Sequence, residues 1–381
     1  MEYSSDFLWD ALEYVGQSGI PGPDSAVAFD IGTGPYLRFF EEEFIVQGVK
    51  NGNSVCRFIE GPFGAGKTHL LQLIENLGRQ HNFAIARLDL SQELNITEWD
   101  QITKFVLENI SFAADGAVCK GLPEVLSAIC RQNNNSDVLD LTHTKLSQPG
   151  FAAAMQYMVH ANHKSQDYRQ LLSRFLSGQK VLASDIKRAG LKGVKGNLTA
   201  RNAEQIFRTT LNGLYALGIP TMILLDENER TLVSAPGKSN SRYNKAANLM
   251  RRLIDACASG SIHGSVIVFT VLPNFIRMCA EDYPALGQRL RAAPPEFLRP
   301  SWRTPVLDVA EVNTVQAHEK FAEHAVVRFR EIAEQLGVVS NGLSEELQQA
   351  ADSVLERNAG AGFRRELMKS LANKLLRANK E

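Results

Sequence analysis

Eight consecutive residues, Gly61-Pro62-Phe63-Gly64-Ala65-Gly66-Lys67-Thr68, satisfy the pattern G-x-x-x-x-G-K-[ST]. They follow an apolar run, Val55 to Glu60, and precede His69 to Arg79, where apolar residues recur at helical spacing. Strand, glycine turn and helix in this order restrict the chain to an α/β core built around an anion cradle. Glycines let the backbone curl until successive N–H groups point inward at a β-phosphate, and the helix N-terminus adds its partial positive charge. Lys67 supplies a mobile ammonium for the β- and γ-phosphates, and Thr68 a hydroxyl for Mg²⁺. Residues Gly61 to Thr68, with His69 next in line, are therefore the expected nucleotide-binding set. A glycine-rich turn that binds nothing is the plain alternative, and the flanking strand and helix argue against it.

A second element lies about 160 residues downstream. Met222-Ile223-Leu224-Leu225 is followed by Asp226-Glu227, which places two carboxylates at the C-terminal end of an apolar strand, where open α/β sheets bind ligands. Asp226 would hold Mg²⁺ through water, and Glu227 would polarise an attacking water as general base. Solvated acids at a strand end are common, so the assignment gains its weight from the glycine cradle upstream.

Around these motifs the chain divides into three parts. Residues 1–50 hold a short helix, 7–15, a Gly/Pro-rich ordered loop and a second helix over Tyr36 to Lys50. Residues 51–300 carry the strands: Val55 to Glu60, Phe83 to Leu90, Thr221 to Leu225 and Val266 to Val271, the last two apolar throughout as strands buried on both faces are. Between the second and third of these strands, about 91–205, the pattern is helical and reads as an all-helical insertion. Residues 301–381 read as three helices forming a lid. Phe321, Ala325, Phe329, Ile332 and Leu336 share one helical face, Ser344 is placed as an N-cap, and the last helix starts near Gly362. The fold class expected is α/β, a parallel-sheet core with a long helical insertion and a C-terminal helical lid.

Composition adds exclusions. With 41 Lys+Arg against 42 Asp+Glu the formal charge is -1, so contact with a polyanion requires a local patch and not a global field. Five cysteines lie without a C-x-x-C pair, which points to a reducing compartment. The longest apolar stretch, VIVFTVLP, is too short to span a bilayer, and the N-terminus lacks a basic then apolar leader. A cytoplasmic protein without membrane contact is expected.

At these residues the chain resembles an AAA+ type P-loop ATPase, and more narrowly the BREX phage-defence ATP-binding proteins of the BrxC/BrxD family. The resemblance is carried by ALEYVGQSGIPG, RFIEGPFGAGKTHLL with ARLDLSQE, FLSGQKVLASDIKRAGLKGVKGNLTARNAEQIF, LLDENE, YPALGQRL and AGFRREL, in the family's order over most of the chain. It implies ATP and Mg²⁺ as cofactors, hydrolysis, a homo-oligomer, and action on DNA or on a helicase or methyltransferase partner. A nucleotide-gated scaffold with little turnover and a replication or transposition loader are the alternatives.

Two departures from the family pattern bear on the site. Ile31-Gly32-Thr33 stands where an arginine follows the glycine of the adenine-side loop, and Leu272-Pro273 replaces a Thr-Pro pair. Thr270 would then sense the γ-phosphate, with Asn274 as the alternative and an ordinary β-branched strand residue as the plain reading. The resemblance further implies that Arg289 acts as an arginine finger on a neighbouring subunit, with Arg291 equally placed, and that Arg364 closes over the nucleotide from the lid.

Two clusters of positive charge remain. Lys187, Arg188, Lys192, Lys195 and Arg201 fall in a glycine-containing stretch, and Lys238, Arg242, Lys245, Arg251 and Arg252 follow LLDENE. Both suit the phosphate backbone of double-stranded DNA. Charge runs are commonly solvated faces, and the lack of interleaved aromatics speaks against a single-strand stacking platform.

Overall fold

The structure, a computed structural model, describes residues 3–89, 98–114, 116–132, 141, 144, 146–161, 163–226, 240–273, 281, 283–291, 301–312, 315, 317–338, 342–357, 360 and 362–379. The apolar runs become strands: β1 Val55–Glu60, β2 Ala84–Asp89, β3 Ser111–Ala114, β4 Ala117–Lys120, β5 Thr221–Asp226, β6 Ser265–Val271 and β7 Val306–Asp308. They form one seven-stranded sheet in the order β4-β3-β2-β5-β6-β1-β7. Every residue of β5 and β6 is buried, as expected of central strands covered by helices on both faces. The fold is mixed α/β with a mostly parallel sheet.

Register determines what the sheet presents at its C-terminal edge. Glu60 lies beside Val271 and Asp308, and Asp89 beside Asp226. The loops leaving β1 and β5 therefore open on the same side, with β6 between them. Opposite faces carry separate cores. One packs Tyr36, Phe40 and the helix Lys67–Gln80 against the sheet. The other packs the inserted helices and the helix Asn240–Ala258.

The insertion is not all-helical. ITKFVLENISFAA continues a helical spacing, yet the helix Trp99–Asn109 stops there, Ile110 turns extended, and Ser111–Ala114 pairs antiparallel with both β2 and β4. Ala114 faces Ala117 across a two-residue connection, Asp115-Gly116, which is hairpin chemistry. The hairpin extends the sheet, and the helices that follow pack beneath it.

Other expectations shift in detail. Tyr36 to Lys50 is not one helix: an α-helix over Gly34–Phe40 widens into a π-helical turn over Glu41–Val46, and a 3-10 turn, Val49–Asn51, follows Gly48. A Cβ at Gly48 would lie 2.5 Å from the Phe44 carbonyl oxygen, so this residue takes the tight approach that ends the widened turn. The three C-terminal helices, the segment expected to form a lid, are His318–Gln335, Leu343–Arg357 and Phe363–Ala378. Ser344 falls inside the first turn of the second and not at its N-cap.

The lid shares its core with the other end of the chain. The first helix, Ser5–Ser18, and Phe29 join the three C-terminal helices in one apolar cluster. Asn373 Nδ2 donates to the Gly16 carbonyl at 2.9 Å, and Arg365 Nε to the Ser18 carbonyl at 2.8 Å. Gly19, with φ 71°, ends the first helix against Arg365, whose carbonyl oxygen a Cβ there would meet at 2.5 Å. Among the described residues no helix is long and apolar enough to cross a membrane.

Candidate functional site

The phosphate end is built by one short segment. Gly61 N donates to the Val271 carbonyl at 3.1 Å, fixing the start of the loop to β6. Gly64 and Gly66 take φ of 74° and 98°, backbone that side chains with a Cβ adopt at a cost, and Gly66 caps the helix that begins at Lys67. Lys67 is buried, and its Nζ donates to the carbonyls of Gly61 at 2.7 Å and Pro62 at 3.2 Å, with the exposed ring of Phe63 5.6 Å away. The ammonium is thus stored at the mouth of its own loop.

Facing it is Asp226 at the end of β5, only 3% exposed. Thr270 Oγ1, fully buried on β6, donates to Asp226 Oδ1 at 2.7 Å. Arg87 Nη2 donates to Asp226 Oδ2 at 3.3 Å, Arg87 Nη1 to Glu75 Oε2 at 3.2 Å, and Arg79 Nη2 to Glu75 Oε1 at 2.7 Å. Both oxygens of Asp226 therefore accept from the protein. Each oxygen keeps a second lone pair, so the carboxylate could hold a cation directly or through water while these bonds orient it.

Loop and acid open into one cavity of about 200 Å³, lined by Pro62 through Leu70 and by Asp226. Gly61 stays behind the wall, packed so that a Cβ would lie 2.5 Å from Val309 Cγ1. The rest of the lining is largely apolar. Ile20, Pro21, Phe29 and Ile31 come from the N-terminal segment, and Phe321 and Met368 from the C-terminal helices. Such a lining has the chemistry to hold a flat heterocycle.

Two ionisable residues, His69 and Arg364, also line the cavity. His69 has both ring nitrogens buried without a hydrogen-bond partner, with Nε2 3.9 Å from Asp30 Oδ1. Burial pushes its pKa down to about 4; the Asp30 carboxylate opposes the shift and Arg364 reinforces it. The imidazole is neutral at pH 7, with donor and acceptor capacity unused by the protein. Asp30 itself accepts from the Thr33 hydroxyl. Arg364 lies over the Phe321 ring at 4.6 Å and donates to the Val315 carbonyl at 3.2 Å, and burial lowers its pKa.

The lid touches the loop directly. A Cβ on Gly64 would lie 2.6 Å from both Cα and N of Gly362, the N-cap of the last helix. Beneath the loop, Glu60 Oε1 is buried and unpaired, and burial followed by the neighbouring Asp308 carboxylate pushes the Glu60 pKa up to about 7.

The structure thus brings together most of the residues singled out in the sequence. Pro62 to His69, Asp226 and Arg364 line the cavity, and Thr270 reaches it through Asp226. Arg289 does not line it: Nε and Nη2 grip Asp255 at 2.7 and 3.3 Å on the helix Asn240–Ala258 of the same chain. Glu227 and Asn274 lie outside the described residues. Arg87 and Glu75 escaped the sequence reading. Each is a charge inside an otherwise apolar element, AIARLD and HLLQLIENLG, and that is the signal that marks them.

No curated protein and no solved structure matches the chain. A family model, described as BREX system ATP-binding protein BrxC/D, matches residues 28–136 and 124–317. The matched span covers the glycine loop, the whole sheet and the insertion. The chain belongs to the BREX system ATP-binding protein BrxC/D family.

Proposed function

We propose that this protein binds Mg-ATP in the cavity between β1 and β5 and hydrolyses it as an AAA+ type P-loop ATPase in BREX phage defence. The family is one of ATP-binding proteins. The observation that carries the reading is the convergence of the Gly61–Thr68 loop and Asp226 on one cavity whose remaining lining is largely apolar. Lys67 leaves its loop carbonyls for the β- and γ-phosphates, and the loop N–H groups hold the β-phosphate. Thr68 and Asp226 would hold Mg²⁺, Asp226 through water, and the ion neutralises charge on the phosphates. Glu227 accepts the proton of the attacking water. Thr270, bonded to Asp226, reports the γ-phosphate position, and Arg364 lies over the nucleotide from the lid.

Arg289 is assigned to a neighbouring copy's γ-phosphate, which makes turnover depend on a homo-oligomer. Nucleotide state would then drive assembly on double-stranded DNA or on a helicase or methyltransferase partner. Steady-state phosphate release with Mg-ATP, with and without duplex DNA, tests the reading. Glu227→Gln is expected to abolish release while calorimetry still records ATP binding. Release at blank level from the unaltered protein at every protein and DNA concentration overturns hydrolysis.

A nucleotide-gated scaffold is the second reading. It is favoured by the two-pronged grip of Asp255 on Arg289, which must be broken before the arginine can act in trans.

A further inference from the structure

The two basic clusters seen in the sequence differ once folded. In the second, Lys238 lies outside the described residues and so does the Arg242 side chain, while Lys245 pairs with Glu98 at 3.0 Å, Arg251 with Asp255 at 3.0 Å, and Arg252 with Glu204. These cations are neutralised within the protein. The first cluster is not. Residues 163–202 contain nine Lys and Arg against two acids, in a chain of net charge -1. All nine are exposed, and among the described residues only Arg188 has an acidic partner, Asp185 at 3.6 Å.

The segment is also held rigid without being a long helix. Val181, Ile186, Leu191 and Val194 are buried in the main core. Asn197 clasps the Val181 backbone from both sides, accepting from its N–H at 2.9 Å and donating to its carbonyl at 3.0 Å. At Lys195 the backbone presses on the helix Pro149–Val159 so closely that a Cβ on Gly150 would lie 2.3 Å from its carbonyl oxygen.

Within this frame a tripeptide repeats, Gly190-Leu191-Lys192 then Gly193-Val194-Lys195, closed by Gly196. In both copies the glycine has positive φ, the aliphatic residue is buried and the lysine is exposed. Each copy therefore anchors itself and displays one ammonium, so ordering the array on binding costs little backbone entropy.

We infer that this face, centred on Lys187, Arg188, Lys192 and Lys195, binds the phosphate backbone of a nucleic-acid duplex. It deepens the DNA-partner part of the function proposed above, and none of these residues lines the nucleotide cavity. Binding is electrostatic and indifferent to base sequence, since phosphate contacts position a protein without reading bases. With no aromatic residue between 176 and 202, the face offers nothing for unpaired bases to stack on. Val181, Ile186, Leu191 and Val194 are buried, and of the large hydrophobics there Leu182 alone stands exposed, too small an apolar surface to enter a membrane.

Fluorescence anisotropy with a labelled duplex DNA of arbitrary sequence, titrated across salt without nucleotide, tests the inference on the full chain. A Lys187→Ala, Arg188→Ala, Lys192→Ala, Lys195→Ala variant should bind at least about 30-fold more weakly, with the slope of log K against log salt shallower by about 3. A charge-preserving Lys187→Arg, Lys192→Arg, Lys195→Arg variant should retain binding. A control that changes net charge equally elsewhere, at the exposed Lys50, Lys104, Lys120 and Lys369, should also retain it.

Wild-type affinity in the alanine variant, an equal loss in the control, or no duplex binding by the unaltered protein at 50 mM salt, a roughly permissive ionic strength, overturns the inference. So does tighter binding to phosphatidylserine vesicles or polyglutamate than to duplex. Duplex RNA run in parallel identifies which backbone is preferred. Mg-ATP calorimetry on the same variants separates this surface from the nucleotide site: heats unchanged with duplex binding lost support it, and failure of ATP binding in the unaltered protein would strike the function proposed above and leave this face standing.

Discussion

The two ends of the cavity are made in opposite ways. The phosphate end comes from one unbroken segment, Pro62 to His69, plus a single acid from β5. The apolar end takes side chains from near residue 20, near residue 30, and from Phe321 and Met368 more than 290 positions later. One end is therefore assembled once β1, the following helix and the neighbouring strands β6 and β5 form. The other exists only when the first helix and the lid have docked. On the function proposed above, affinity for a triphosphate would be local in origin, whereas selectivity for what it is attached to would depend on tertiary closure.

The largest expected effect breaks the phosphate end from behind. Arg87→Met removes the cation shared by Glu75 and Asp226, whose side chains are 6% and 5% exposed. Each acid keeps one other donor, so urea denaturation should show a loss of about 3 kcal/mol, near the lower bound for a broken buried pair. Next, Lys67→Ala removes the charge-assisted contacts to phosphate and should weaken ATP by about 100-fold in calorimetry. It should leave the dependence on base identity unchanged, and a change in that ratio would show that the ends are not separable.

A smaller effect probes the seam between the ends. Gly64→Ala carries both a positive-φ cost and a clash with Gly362, while Gly66→Ala has the φ cost alone, with no atom within 4 Å. Chemical denaturation without nucleotide should place Gly64→Ala about 1 kcal/mol below Gly66→Ala. Equal stabilities would mean that lid and loop are apart in solution.

The smallest effects have opposite signs in pH. His69, with a folded pKa of about 4 against an ordinary value of 6.5, binds its proton more readily when unfolded. Its contribution is complete above pH 6.5 and is lost as pH falls towards 4. Glu60, raised from 4.5 to about 7, binds its proton more readily when folded, so stability falls as pH rises through that interval. Thermal melts should show His69→Leu flattening the acid side of the profile. Glu60→Gln should raise Tm at pH 8 relative to the unaltered protein, and no gain there would show that the carboxylate is solvated.

This contrast also explains what the sequence revealed. β1, β5 and β6 announce themselves because central strands are apolar regardless of what surrounds them, and the glycine loop because its backbone tolerates few alternatives. The β3–β4 hairpin was hidden because Phe105, Val106 and Ile110 carry a helical period up to its first residue, and only Asp115-Gly116 signals the reversal. Phe29 and Met368 cannot be paired by any local rule. His69 sits inside the legible motif, but the burial of its nitrogens and the charges of Asp30 and Arg364 beside it arise only from the fold.

Arg364 and Arg365 are consecutive and both line the cavity, and the second also donates to the Ser18 carbonyl. A roll of that helix sufficient to withdraw the first guanidinium must slacken the second. The leading helix, with Tyr14 half exposed on it, is thus pinned to the chamber by a residue that also forms part of the chamber wall.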